Sequence, residues 1–255
     1  MRKSIIGLSA VSLLAIATPA FAEDAPATPI KITGSAALVS DYRFRGFSQN
    51  GENAAVQAGI TLNHESGFYV GTWGSSINLK SSTNAQLSAE VDLFAGYTKA
   101  VAPGVTVDVG LLYYLYPKKG GGKTDFFEPY ANVTGTVGPA TVKVGVNYAW
   151  EQEALGKNSA IYLHAEPSIA IPGTPLSLDA HVGYADSKSA LGGYGRDHHV
   201  WDYSIGGALA YKNLSLGVHY VNTDEARYRS GALAGLGAED VGADGAVIFS
   251  LTASF

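Results

Sequence analysis

The chain has 255 residues, with 17 Lys and Arg against 22 Asp and Glu and a formal net charge of −5. Charged residues are only 15%, where a soluble domain carries about 25%. The aromatic content argues against a disordered chain, the absence of cysteine against a disulfide scaffold or thiolate metal site, and the acidic balance against a nucleic-acid binder.

Residues 1–22 read as an address. Arg2 and Lys3 form a positive start, Ile5 to Ala17 an apolar core, and Ala20-Phe21-Ala22 a small-x-small cleavage site. That order predicts a secretory signal peptide cut between Ala22 and Glu23. The expected mature chain is one domain, 23–255. Without Arg2 and Lys3 it keeps 15 bases against 22 acids, net −7. No later segment reaches the roughly 18 apolar residues of a membrane helix.

From residue 32 onward, apolar and polar residues alternate with period two. Ala140, Val142, Val144, Val146, Tyr148 and Trp150 share one face, opposite Thr141, Lys143, Gly145, Asn147 and Glu151. The same rhythm predicts about twelve strands. They lie near 32–44, 54–63, 68–79, 85–98, 105–116, 126–137, 140–151, 159–171, 175–186, 200–211, 214–223 and 244–255. The 68–79 segment has Thr, Gly and Ser on both faces and is the weakest. A count of ten strands is the alternative. Pro129 and Pro167 lie inside two strands and cannot donate to a ladder, which predicts a bulge or a misplaced strand there. Tight turns at 65–67, 103–104, 138–139, 172–174 and 212–213 alternate with longer stretches at 45–53, 117–125, 187–199 and 224–243. Short turns at one end and long loops at the other are the layout of an outer-membrane barrel.

Alternation alone does not say which face meets water. A soluble barrel would show Lys and Glu outside, but here the polar face is mostly Gly, Ser, Thr and Asn with isolated charges. Such a face suits a confined lumen. On the apolar face Tyr148, Trp150, Tyr184, Trp201, Tyr203 and Tyr220 fall towards the long-loop end. Tyr97, Tyr211 and Phe255 fall towards the short-turn end. Rings at both ends are expected to form two girdles at headgroup level. The expected fold is therefore all-β: a transmembrane, antiparallel, up-and-down β-barrel in a bacterial outer membrane, both termini on the periplasmic side. Val247, Phe249, Leu251, Ala253 and Phe255 alternate up to the last residue. That resembles the C-terminal strand signal that outer-membrane assembly machinery reads.

With the apolar face on lipid, the lumen is expected to receive Asp41, Arg43, Arg45, Glu90, Asp92, Asp108, Glu128, Lys143, Glu166, Asp179 and Asp202, with His164, His181 and His219. Eight acids against three bases predict either a cation-preferring pore or an internal ion-pair network. Asp41 and Arg43, two apart, suit the network; the acid excess suits the pore. Tyr114, Tyr116, Tyr130 and Tyr162 also point inward and are expected to fill space rather than to stack on ring-bearing solutes. His198-His199, after Arg196-Asp197, lacks further ligands at a metal-site spacing, so no metal or other cofactor is expected. Gly120-Gly121-Gly122-Lys123-Thr124 lacks the phosphate-loop spacing. Glu90 and Asp92 are too ordinary a pair to predict a glycosidase, and no Ser–His spacing is distinctive. No enzyme is expected.

Val39-Ser40-Asp41-Tyr42-Arg43-Phe44-Arg45-Gly46-Phe47-Ser48-Gln49 resembles the opening motif of the TorF-type porins, a proteobacterial family long labelled only as conserved hypothetical. Ala55-Val56-Gln57, the run from Glu65 to Ser75, and Glu90-Val91-Asp92-Leu93-Phe94-Ala95-Gly96-Tyr97 resemble its next blocks. The resemblance implies an outer-membrane barrel and a pore for small hydrophilic solutes or ions. The alternatives are a closed barrel that binds a ligand through its long loops, and a lipid-facing enzyme.

Overall fold

A computed structural model describes residues 29–80, 86–119, 123–193, 198–225 and 242–255. The expected signal peptide, its Ala22–Glu23 junction and residues 226–241 of the last long loop lie outside them, as do 194–197 and Gly120 to Gly122. Twelve long strands are described: β1 (Ile30–Val39), β2 (Ala55–His64), β3 (Phe68–Lys80), β4 (Gln86–Ala102), β5 (Val105–Leu115), β6 (Phe126–Val137), β7 (Ala140–Gln152), β8 (Asn158–Ala170), β9 (Leu176–Ser187), β10 (His199–Tyr211), β11 (Leu214–Thr223) and β12 (Ala246–Ser254). Each pairs antiparallel with its neighbours, and β12 returns to β1 with Ser35 opposite Ser254 and Val39 opposite Ser250. The ring is closed, so its backbone donors and acceptors are satisfied strand to strand, which hydrocarbon demands.

The alternation in the sequence becomes two faces. Leu93, Val144, Leu163, Val182, Ile205 and Phe249 point out and are exposed. Glu90, Asp92, Glu128, Asn147, His164 and Asp202 point in and are buried. Phe255 seals the seam: it exchanges both backbone hydrogen bonds with Gly34, at 3.0 Å each. Its ring lies over that glycine, where a Cβ would come within 2.5 Å of it. The weak 68–79 segment is a full strand whose inner face carries Tyr69, Trp73 and Ile77.

The first strand is a correction. The expected 32–44 strand ends at Val39, and the chain turns into the barrel. Val39 pairs with Ala55. Continuing that register to Phe44 would require Asn50 opposite it, but the chain instead makes a two-residue hairpin, Arg43–Phe44 on Phe47–Ser48. Arg45 and Gly46 form its tip with φ of 49° and 85°. The period-two pattern runs on through Asp41, Arg43 and Arg45, but it now describes a loop in the lumen.

Both prolines lie in continuous strands. Above Pro129 the β6–β7 ladder stops at Tyr130–Asn147. There the Gln152 side chain replaces it, accepting from Phe127 N–H and donating to Phe127 C=O at 2.8 Å each. At Pro167 the β8–β9 ladder lacks the rungs between Ala165–Val182 and Ser168–Asp179 but keeps its register, so neither proline produces the expected bulge or a misplaced strand.

Candidate functional site

The 40–54 loop divides the lumen. Its hydrophobic side, Tyr42 and Phe44, packs on Phe94, Leu112, Tyr114, Phe126 and Trp73, which fill the side formed by β3 to β7. Tyr114, Tyr130 and Tyr162 are buried, and Tyr116 packs on the same clusters. Tyr116 and Tyr130 pack among these clusters, while Tyr114 and Tyr162 also line the space left open beside the loop.

The loop is held by charge. Arg45 Nη2 donates to both oxygens of Glu128, at 2.7 and 2.8 Å, and its guanidinium lies 4.2 Å from the Tyr162 ring centroid and 4.8 Å from that of Phe44. Glu128 also accepts from Tyr114 at 3.2 Å and Asn147 at 3.1 Å. Tyr42 Oη donates to Glu90 at 2.9 Å. Arg43 pairs with Asp41 at 2.6 Å and donates to the carbonyls of Gly242 and Asp244, at 2.8 and 2.7 Å, which ties the loop to the approach to β12.

On the other side, β7 to β11 carry a second network. Lys143 meets Glu166 at 2.5 Å, and His164 meets the same carboxylate at 3.0 Å. His181 lies 2.9 Å from Asp202, which also accepts from Tyr162. His219 lies 2.8 Å from Asp179. Glycines make room for these side chains. A Cβ on Gly183 would come within 2.0 Å of Tyr162 Oη and 2.5 Å of Asp202. The many glycines of the polar face are thus notches for rings on the next strand, a role that sequence reading did not assign.

Between loop and wall lies a cavity of ≈ 1000 Å³, open solvent included. Asp41, Arg43, Arg45, Glu166, Asp202, His164, His181 and His219 line it, with Gln57 and Ser250. The remaining inward charges lie elsewhere. Glu90 and Asp92 are buried behind the loop, and neither oxygen of Asp92 has a hydrogen-bond partner among the described residues. Asp108 accepts from Tyr69 at 2.6 Å and from Asn132 at 3.3 Å. Glu128 is the loop's anchor, and Lys143 and Asp179 pair across strands. His199 begins β10 and packs on Tyr184, at 5.8 Å between rings. Among the described residues no three His, Cys, Asp or Glu group as metal ligands.

Outside, Tyr148, Trp150, Trp201, Tyr203 and Tyr220 are exposed at the long-loop end, and Tyr184 packs on Trp201 at 4.8 Å. At the other end Tyr211 and Phe255 are 68% and 70% exposed, and Tyr97 packs on Phe68 at 4.9 Å. Two ring bands thus flank an aliphatic belt.

The family described as "Bacterial protein of unknown function (Gcw_chp)" matches residues 23–255. No curated protein matches the sequence. Among solved structures, a KdgM porin is 8% identical, with a TM-score of 0.56 over 88% of this chain and 98% of that one. A "KdgM porin in complex with disordered oligogalacturonate" is also 8% identical, with a TM-score of 0.50 over 88% of this chain and 97% of that one. At that identity the likeness shows a porin-like barrel fold.

Proposed function

The chain belongs to the Gcw_chp family, and from that premise we propose that it is an outer-membrane porin passing small hydrophilic solutes and ions by passive diffusion. One observation carries this reading: an apolar belt outside a closed ring, with a charged, polar cavity inside. The infolded 40–54 loop narrows the path without filling the side formed by β8 to β12. Among the charged side chains that line the cavity, Asp41, Glu166 and Asp202 outnumber Arg43 and Arg45, so the lumen favours cations, counting histidine as neutral. Barrel lipids surround the belt, and the Phe255 strand is read by the assembly machinery. Residues 1–22 direct export; the family match beginning at residue 23 supports a cut after Ala22. The motif from Val39 to Gln49 supports placing the chain with the TorF-type porins. The reading involves no covalent chemistry and no cofactor.

A second reading is a closed barrel acting through its loops. The aromatic filling of the β3–β7 side favours it. Liposome swelling separates the two. Vesicles loaded with dextran and carrying the folded barrel should swell in isotonic arabinose. Vesicles that hold folded protein and do not swell would favour the closed barrel.

A further inference from the structure

We infer that the lumen cavity holds a subsite for an uncharged polyhydroxylated solute, a sugar or polyol, seated between Arg45 and Gln57; this rests on the pore reading.

Two buried atoms in the cavity wall require partners of opposite sense. The Arg45 guanidinium is fixed on the Tyr162 ring by Glu128, which takes only Nη2. Its Nη1 is buried and has no acceptor among the described residues. Gln57, on β2, is 2% exposed, and its amide nitrogen donates to Ser75 Oγ at 3.4 Å. Its Oε1 is buried and has no donor among the described residues. Both residues line the same cavity. Leaving such groups unmet costs about 1–3 kcal/mol each, so a solute that supplies their hydrogen bonds gains that much by settling in this part of the lumen.

Charge selects among the candidate solutes. A cation cannot accept from a guanidinium. A carboxylate can, but it would share the cavity with Asp202, whose contacts are Tyr162 and His181, and with Glu166. A hydroxyl both donates and accepts, so a polyol offers Arg45 Nη1 an acceptor and Gln57 Oε1 a donor without added charge. Phe44 and Tyr42 supply apolar ring surface on the same wall.

The test is single-channel current in planar bilayers with D-glucose, sodium glucuronate or tetraethylene glycol dimethyl ether on one side. Glucose should block the current saturably, and the ether, which has no hydroxyls, should not. Gln57→Leu, and Arg45→Gln combined with Glu128→Gln, should each raise the half-blocking concentration about tenfold, one lost hydrogen bond at roughly 1.4 kcal/mol per decade. The double change avoids stranding a buried Glu128, and Gln57→Leu leaves the infolded loop intact. The upward gel shift on boiling confirms that each variant is folded. Block by glucuronate alone, or by none of the three in a conducting channel, overturns the subsite and leaves the pore. A folded barrel that never conducts overturns the pore reading, and the subsite with it.

Discussion

Arg45, at the tip of the infolded loop, and Glu128, on β6, meet across the lumen with one guanidinium nitrogen in reach of both carboxylate oxygens. Both are buried, so neither charge can be left alone cheaply. Removing one partner of such a pair costs about 3–5 kcal/mol, whereas removing both is far milder.

Arg45→Ala is therefore expected to lower the stability of the folded barrel by that amount and to free the loop from the wall. Urea unfolding in micelles should show the loss, and single-channel conductance should rise as the path widens. Arg45→Gln with Glu128→Gln should recover most of the stability, giving a coupling energy well above the error of a double-mutant cycle. Additive single and double effects would remove the latch from the account.

The glycine notches allow a paired comparison. Gly183→Ala places a methyl against Tyr162 and Asp202, so overpacking should cost about 1–3 kcal/mol. Gly135→Ala meets nothing within 4 Å and should be neutral or slightly stabilising. The two are compared by the same urea titration. Equal effects would mean that the lumen rings have room to move away.

Arginine on the belt should be expensive and arginine in the lumen cheap. Leu163 lies midway along β8 and faces outward, 47% exposed. Leu163→Arg should cost about 2–4 kcal/mol for folding into a bilayer. Ser204→Arg, on the cavity side of β10, should fold normally and shift the reversal potential towards anions. Folding into vesicles of defined thickness reads the first, and a salt-gradient recording the second.

At the long-loop mouth, burial and the neighbouring Asp244 carboxylate raise the Glu52 pKa above its ordinary 4.5, with Arg43 opposing. An acid with a raised folded pKa favours the folded state when protonated, so that stability is present below 4.5 and is lost as pH rises through the higher folded value. The contact between the 40–54 loop and Asp244 should therefore tighten on acidification, seen as fewer brief gating events. Glu52→Gln should be quiet across the same range. A wild-type channel whose gating ignores pH there would contradict this.

Much of the barrel was legible because lipid enforces alternation along every strand. Val144 and Leu163 had to face out, and Asn147 and His164 in. The same signal misled at residues 40–44. Tyr42 and Phe44 are apolar and Asp41 and Arg43 polar, as on any strand, yet Tyr42 and Phe44 are packed in the lumen. Gly46, Gly51 and two asparagines between 46 and 53 carried the turn signal that ends the strand early. Pro129 and Pro167 were legible as ladder faults, but the repair by Gln152 was not, because it depends on a side chain from a strand reached only in three dimensions. The partition of charges followed the same limit. Alternation placed Glu90, Asp92 and Glu166 inside, but only the loop's position decides that Glu166 lines the cavity while Glu90 lies behind Tyr42.

Planar-bilayer conductance of the purified, folded chain under a salt gradient tests the porin account most directly. The expected result is discrete conductance steps with a cation-selective reversal potential. A barrel that shifts on boiling and inserts into the bilayer, but passes no current, would contradict it.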